Sequence, residues 1–147
     1  MQVKSVINDK YEEVEIHVCN YEADDTVREL VSEISNFVNP GFSVQKQNGD
    51  KVVINENNVI SFYSEGQRVL ARVEGESYIV HKKLYELEQD LDKKLFFRAS
   101  KSEIINLKKI QRLDLGITGT IKVIMKDGSE TFTSRRNVAK LKQVLGI

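Results

Sequence analysis

The sequence predicts a mostly β protein with peripheral helices, a β-sheet domain preceded by a small β-hairpin and helix. Three observations lead there. Between residues 48 and 133, short apolar or alternating runs follow one another with only brief connections. Helical periodicity is confined to three stretches. The composition, 40% hydrophobic and 30% charged over 147 residues, is that of a soluble globular chain able to bury a core of ordinary size.

Taken in order, Val3 to Ile7 and Val14 to Cys19 alternate apolar and polar residues around the turn signal Asn8-Asp9-Lys10, which predicts a hairpin. Thr26 to Glu29 offers a capping box, and Val27, Leu30, Val31, Ile34, Phe37 and Val38 follow helical spacing until Asn39-Pro40-Gly41 stops it. The polar run Gln45 to Asp50 marks a boundary, giving an N-terminal element over 1–47 and a larger domain over 48–147. In that domain Val52–Ile54, Val59–Tyr63, Val69–Val73 and Tyr78–Val80 read as strands, with Glu65 to Arg68 and Glu74-Gly75 as hairpin loops. Leu84, Leu87 and Leu91 predict a helix of about three turns ending at Lys93-Lys94. The run from Phe96 to Leu107 reads as one strand-like stretch, followed by strands over Ile110–Leu115, Thr120–Met125 and Ser129–Thr133. The last two are closed by Asp127-Gly128 as a two-residue turn. Val138, Leu141 and Leu145 give a final helix its apolar stripe, with Ser134 as its N-cap.

The basic residues are unevenly distributed along a chain of zero formal net charge. Residues 1–47 carry four cations against nine acids, and residues 96–147 carry eleven against four. A basic third of this kind suits a phosphate-facing surface, although a solvated face has the same composition. No apolar run approaches the ~18 residues of a membrane span, and the N-terminus lacks a signal-peptide layout, so a cytoplasmic location is expected. A single cysteine, Cys19, excludes an intrachain disulfide and is expected as a small buried hydrophobe. His17 and His81 lie far apart, and no phosphate loop, nucleophile elbow or thiolate site is present, so neither catalysis nor a cofactor or metal is expected. Nor do the helices follow one another across the tight turn of a helix-turn-helix.

Two clusters have anion-gripping chemistry. In Arg98-Ala99-Ser100-Lys101-Ser102, small residues keep the backbone approachable while hydroxyls and Lys101 reach phosphate; Arg98 fits either that role or a structural one. In Ser134-Arg135-Arg136-Asn137, cations stand where a helix macrodipole disfavours them by about 0.3–1 kcal/mol each. Either nearby acids pair with them, or first-turn N–H groups and guanidinium forks together bind phosphate or a guanine edge. Gln67 and Arg68, at a hairpin tip, are candidate base readers.

The pattern Phe96-Phe97-Arg98-x-Ser100-x-Ser102-x-x-x-Asn106-Leu107-x-x-Ile110, then Asp127-Gly128 and Ser134-Arg135-Arg136-x-Val138-x-x-Leu141, resembles the LytTR family of bacterial DNA-binding domains over roughly 48–147. The resemblance implies a β scaffold whose loops enter successive major grooves of double-stranded DNA. Base contacts would then fall to Arg136 and to Gln67 or Arg68, and backbone contacts to Lys101, Ser100, Ser102, Ser134, Arg135 and Asn137. Where many members carry histidine or asparagine, this chain has Ser100 and Lys101, which makes the contact there electrostatic. The first 47 residues are too few for the receiver domain that most members carry. The resemblance is thus to a stand-alone regulator, binding as a homodimer on direct repeats and restrained by a small membrane protein encoded nearby. The acidic N-terminal element would serve dimerisation or partner docking. A protein–protein adaptor whose basic third docks an acidic partner is the competing reading.

Overall fold

A computed structural model describes the chain except residues 1, 6, 11–13, 39–40 and 117–118. The chain divides into two compact units, Met1–Val38 and Asn39–Ile147.

The first unit holds one helix, α1 (Asp25–Val38). Its cap is Asp24 rather than Thr26: the Asp24 carboxylate accepts the Val27 N–H at 2.9 Å, and a carboxylate suits the positive helix end. The hairpin expected over Val3–Cys19 is not formed among the described residues, where the Asn8 side chain receives the Lys10 N–H at the expected turn. Val3, Ile7, Val14 and Ile16 are exposed, and a two-stranded ribbon without a covered face is marginal in water. Cys19 is exposed rather than buried for the same reason. Residues 39–40 of the expected helix stop lie outside the described residues.

The second unit is built on a seven-stranded antiparallel sheet of β1 (Phe42–Gln45), β2 (Lys51–Ile54), β3 (Val59–Glu65), β4 (Arg68–Val73), β5 (Glu76–Val80), β6 (Phe96–Ser100) and β7 (Glu103–Asn106). Their order is β2-β1-β5-β4-β3-β7-β6. Strand β1 lies within residues that the sequence assigned to the N-terminal element. It pairs with β2 over Phe42↔Ile54 to Gln45↔Lys51, so the polar run after it is a hairpin loop. A second sheet contains β8 (Ile110–Leu115), β9 (Ile121–Met125) and β10 (Glu130–Thr133), in the order β10-β9-β8. The loop before β10 has three residues rather than two, Lys126 to Gly128, because Met125 N–H bonds to the Ser129 carbonyl. Gly128 supplies the left-handed residue at φ 83°.

Each face of the large sheet carries a hydrophobic core. On one face α2 (Leu84–Asp90) sets Leu84 and Leu87, with Leu91 and Leu95 behind them, against Val59, Phe62, Phe96 and Ile104. Phe62 lies between the rings of Phe42 and Phe96, at 5.6 and 5.5 Å between centroids. This helix is shorter than predicted. Leu91 turns extended, and the Asp92 carboxylate takes the Lys94 N–H in a local turn, leaving Lys93 and Lys94 beyond the helix. On the other face, Ile60, Ala99 and Ile105 meet Ile121, Val123 and Met125 of β9 and the fully buried Leu141 of α3 (Val138–Leu145). Asn106, buried at the end of β7, donates to the Val59 carbonyl at 2.8 Å and accepts the Lys108 N–H at 2.9 Å. It thereby satisfies the backbone where two strands end together.

Candidate nucleic-acid interface

Two strand turns and one 3-10 turn assemble at one end of the large sheet. In the first, β3 and β4 pair to Glu65↔Arg68, leaving Gly66-Gln67 as a two-residue turn. Gly66 has φ 61° and Gln67 does not share the positive sign, the signature of a type II′ hairpin turn. Gln67 and Arg68 are both exposed.

The second turn divides the stretch that reads as continuous in sequence. Strands β6 and β7 pair to Ser100↔Glu103 after a register shift at Ala99, so Lys101-Ser102 is a turn without glycine or proline. Its shape comes from side chains. The Ser100 hydroxyl receives the Ser102 N–H at 3.2 Å. Arg98 donates to the Ser100 carbonyl at 2.6 Å and the Lys101 carbonyl at 2.5 Å, and pairs with Glu88 of α2 at 3.0 Å. Arg98 is therefore a structural clamp, which settles the alternative that the sequence left open. Both turns lie at the same end, because β3 pairs with β7 at Tyr63↔Glu103 and the Ser64 N–H continues that pairing to the Ser102 carbonyl at 2.9 Å. Nothing in the sequence pattern singled out Ser64.

The third element, Arg135–Asn137, is a 3-10 turn preceding α3 rather than the helix's own first turn. The Ser134 N–H donates to the Ala99 carbonyl at 2.9 Å, and the Asn137 amide donates to the Arg98 carbonyl at 3.1 Å. These bonds dock the turn on β6. The Ser134 hydroxyl makes no cap bond and is buried without a hydrogen-bond partner. Ser134 and Asn137 are thus braces, while Arg135 and Arg136 project from the surface they brace. Arg68, Lys101, Arg135 and Arg136 are exposed, and among the described residues none has an ion-pair partner. The competing view that acids neutralise the arginines finds no support in these pairings.

Behind the turns lies a polar cluster. The Arg72 guanidinium stands 4.5 Å from the Tyr63 ring centroid, donates to the Ser61 hydroxyl at 3.3 Å and approaches the Glu103 carboxylate at 3.6 Å. The last contact is electrostatic rather than a hydrogen bond, and that carboxylate oxygen is buried without a bonded partner.

Exposed turns bearing cations without ion pairs among the described residues, at one end of a β scaffold, form a surface of the kind a nucleic-acid-binding domain presents. The comparisons give the family. The LytTr DNA-binding domain model matches residues 50–146, and the chain belongs to that family. It is 30% identical over 147 residues to an uncharacterized HTH-type transcriptional regulator of Staphylococcus aureus strain MSSA476, covering 100% of this chain and 99% of that protein. A counterpart from strain N315 is 37% identical over 95 residues, covering 65% of this chain and 64% of that protein. A solved LytTr DNA-binding domain from Bacillus cereus shares the fold with TM-score 0.68 at 19% identity, over 73% of this chain and 97% of that one. The relatives' names say helix-turn-helix, yet here strands separate every pair of α-helices among the described residues.

Proposed function

We propose that the protein is a sequence-specific transcription regulator in the cytoplasm that reads double-stranded DNA with turns from a β scaffold. The observation that carries this reading is the Ser64–Ser102 bond, which ties the Gly66-Gln67 and Lys101-Ser102 turns together at the end where the braced Arg135-Arg136 turn also docks. In this reading Arg136, with Gln67 or Arg68, contacts base edges. Lys101, Ser100, Ser102 and Arg135 hold the phosphate backbone, and Ser134 and Asn137 act on it by fixing the turn.

The protein binds as a dimer on direct repeats, with the first unit as the dimerisation or docking element. Support comes from α1, which has no buried residue and leaves Val31, Phe37 and Val38 exposed along its apolar side. A small membrane protein that restrains the regulator would use the same side. That unit has one helix and no sheet among its described residues, unlike a receiver, which favours control without a phosphorelay.

The test is selection of duplexes from a random-sequence pool by the full chain, followed by binding titrations across salt concentrations. A shared sequence motif and a steep salt dependence are expected. Retention of no duplex at low salt would replace this reading with the adaptor, in which the basic third docks an acidic protein.

A further inference from the structure

The end of the sheet that carries the turns has one more cationic element, on the side of the Gln67 turn away from Lys101. Val80, the last residue of β5, pairs with Val69, so His81, Lys82 and Lys83 leave the sheet beside Arg68. With Arg68 and Gln45 they line a concavity of about 480 Å³ that Glu86, the one acid among its described lining residues, also faces. Two of these groups are already engaged: the Lys82 ammonium by Asp90 at 2.9 Å and the His81 ring by the Gln45 amide oxygen at 2.9 Å. Arg68 and Lys83 are exposed and have no ion pair among the described residues.

We infer that this concavity is a second grip on the DNA backbone, in which Lys83 and Arg68 hold a phosphate on the groove wall opposite the one held by Lys101, which leaves the base-edge contact of the hairpin turn to Gln67. The inference rests on the DNA-reading function proposed above and adds a residue, Lys83, that neither the family resemblance nor the comparisons assign. Its geometry follows from strand spacing. From β5 to β7 the order β5-β4-β3-β7 makes three intervals, or about 14 Å at the usual separation of neighbouring strands. A B-DNA major groove is about 12 Å wide. When the Gln67 turn, which springs from the two middle strands, enters the groove, the strand ends on either side of it stand over the two backbones that bound the groove. Lys101 meets one wall and the Arg68–Lys83 concavity meets the other. Lys82 and His81 shape that concavity through their own partners and leave the phosphate to the two unpaired cations. Clamping both walls fixes how deep and at what angle the turn enters, so the second grip sets register without reading sequence.

The experiment compares the full-length wild type with Lys83→Gln and Lys108→Gln on a duplex enriched by the wild type from a random pool. Lys108 is exposed in the 3-10 turn after β7, at the opposite end of the sheet, and its loss changes net charge equally. Lys83→Gln is expected to melt at the wild-type temperature, to bind several-fold more weakly to every duplex without changing their ranking, and to lower the salt slope by about one. Ethylation of one backbone phosphate should weaken the wild type more than Lys83→Gln, which keeps only Arg68 at that phosphate, while Lys108→Gln should match the wild type throughout. An unchanged slope in Lys83→Gln, or an equal fall in Lys108→Gln, overturns the second grip while leaving the DNA-reading function standing. If the wild type enriches no duplex, both fall together.

Discussion

The Arg136 guanidinium is exposed, without an ion pair among the described residues, on a turn whose position is set by Ser134 and Asn137. Substituting Arg136→Ala should cost about 1–3 kcal/mol at the preferred site and flatten the preference between duplexes, as competition binding would show. Lys101→Ala should instead weaken all duplexes alike and reduce the salt slope by about one. Arg98 acts through its neighbours. Arg98→Ala strips two turn carbonyls of their donor and should lower stability by about 1–3 kcal/mol in a denaturant titration. Arg98→Lys can satisfy only part of that fork and should fall between. Glu56 belongs to a different kind of residue, one the fold tolerates. Burial first, and the nearby Asp92 carboxylate second, raise its carboxyl above the ordinary value. A raised carboxyl favours the protonated folded state, so its ionisation weakens the fold as pH rises through the raised value. Glu56→Gln should therefore melt higher than the wild type at neutral pH, with the difference vanishing below about pH 4.

Among the elements, the β3–β4 turn shows how a local requirement serves the site. A Cβ on Gly66 would meet no heavy atom within 4 Å, so the barrier to substitution is conformational. Gly66→Ala should cost about 1–2 kcal/mol of stability for the left-handed backbone. Any further loss of DNA affinity measures how far the turn has moved. The β6–β7 turn was hidden in sequence because it contains neither glycine nor proline. Its reversal comes from the Ala99 register shift and from side-chain bonds that no local pattern announces. The small second core depends on α3, whose one fully buried residue is Leu141. Leu141→Ala should cost about 2–5 kcal/mol. Because α3 follows the Arg135–Asn137 turn directly, DNA affinity should fall with it at temperatures where the rest of the sheet is still folded.

At the scale of the molecule, the boundary between units follows from which apolar residues find a partner. Phe42 packs on Phe62 and Val44 is buried in the first core, so β1 belongs to the second unit. Removing residues 1–38 should leave a domain that melts cooperatively and still binds duplex DNA, but sediments as a monomer. A truncated chain that still sediments as a dimer would remove the first unit from dimerisation.

Apart from the division of Phe96–Leu107 into two strands, the strands from Val52 onward, the helix at Leu84, the final helix and the family were legible in the residues, since alternation, helical spacing and motif order are local properties. The hairpin over Val3–Cys19 was legible in the same way and does not form among the described residues, because alternation states what a strand needs and not whether anything covers it. Tertiary structure alone decided which candidates stand together. Gln67, Lys101 and Arg136 are far apart in the chain, and strand order, the Ser64–Ser102 bond and the Asn137 brace bring their elements to one end of one sheet. It also separated Ser134 and Asn137, which hold the surface, from the arginines between them, because burial and hydrogen-bond partners are properties of the packed chain rather than of residue type.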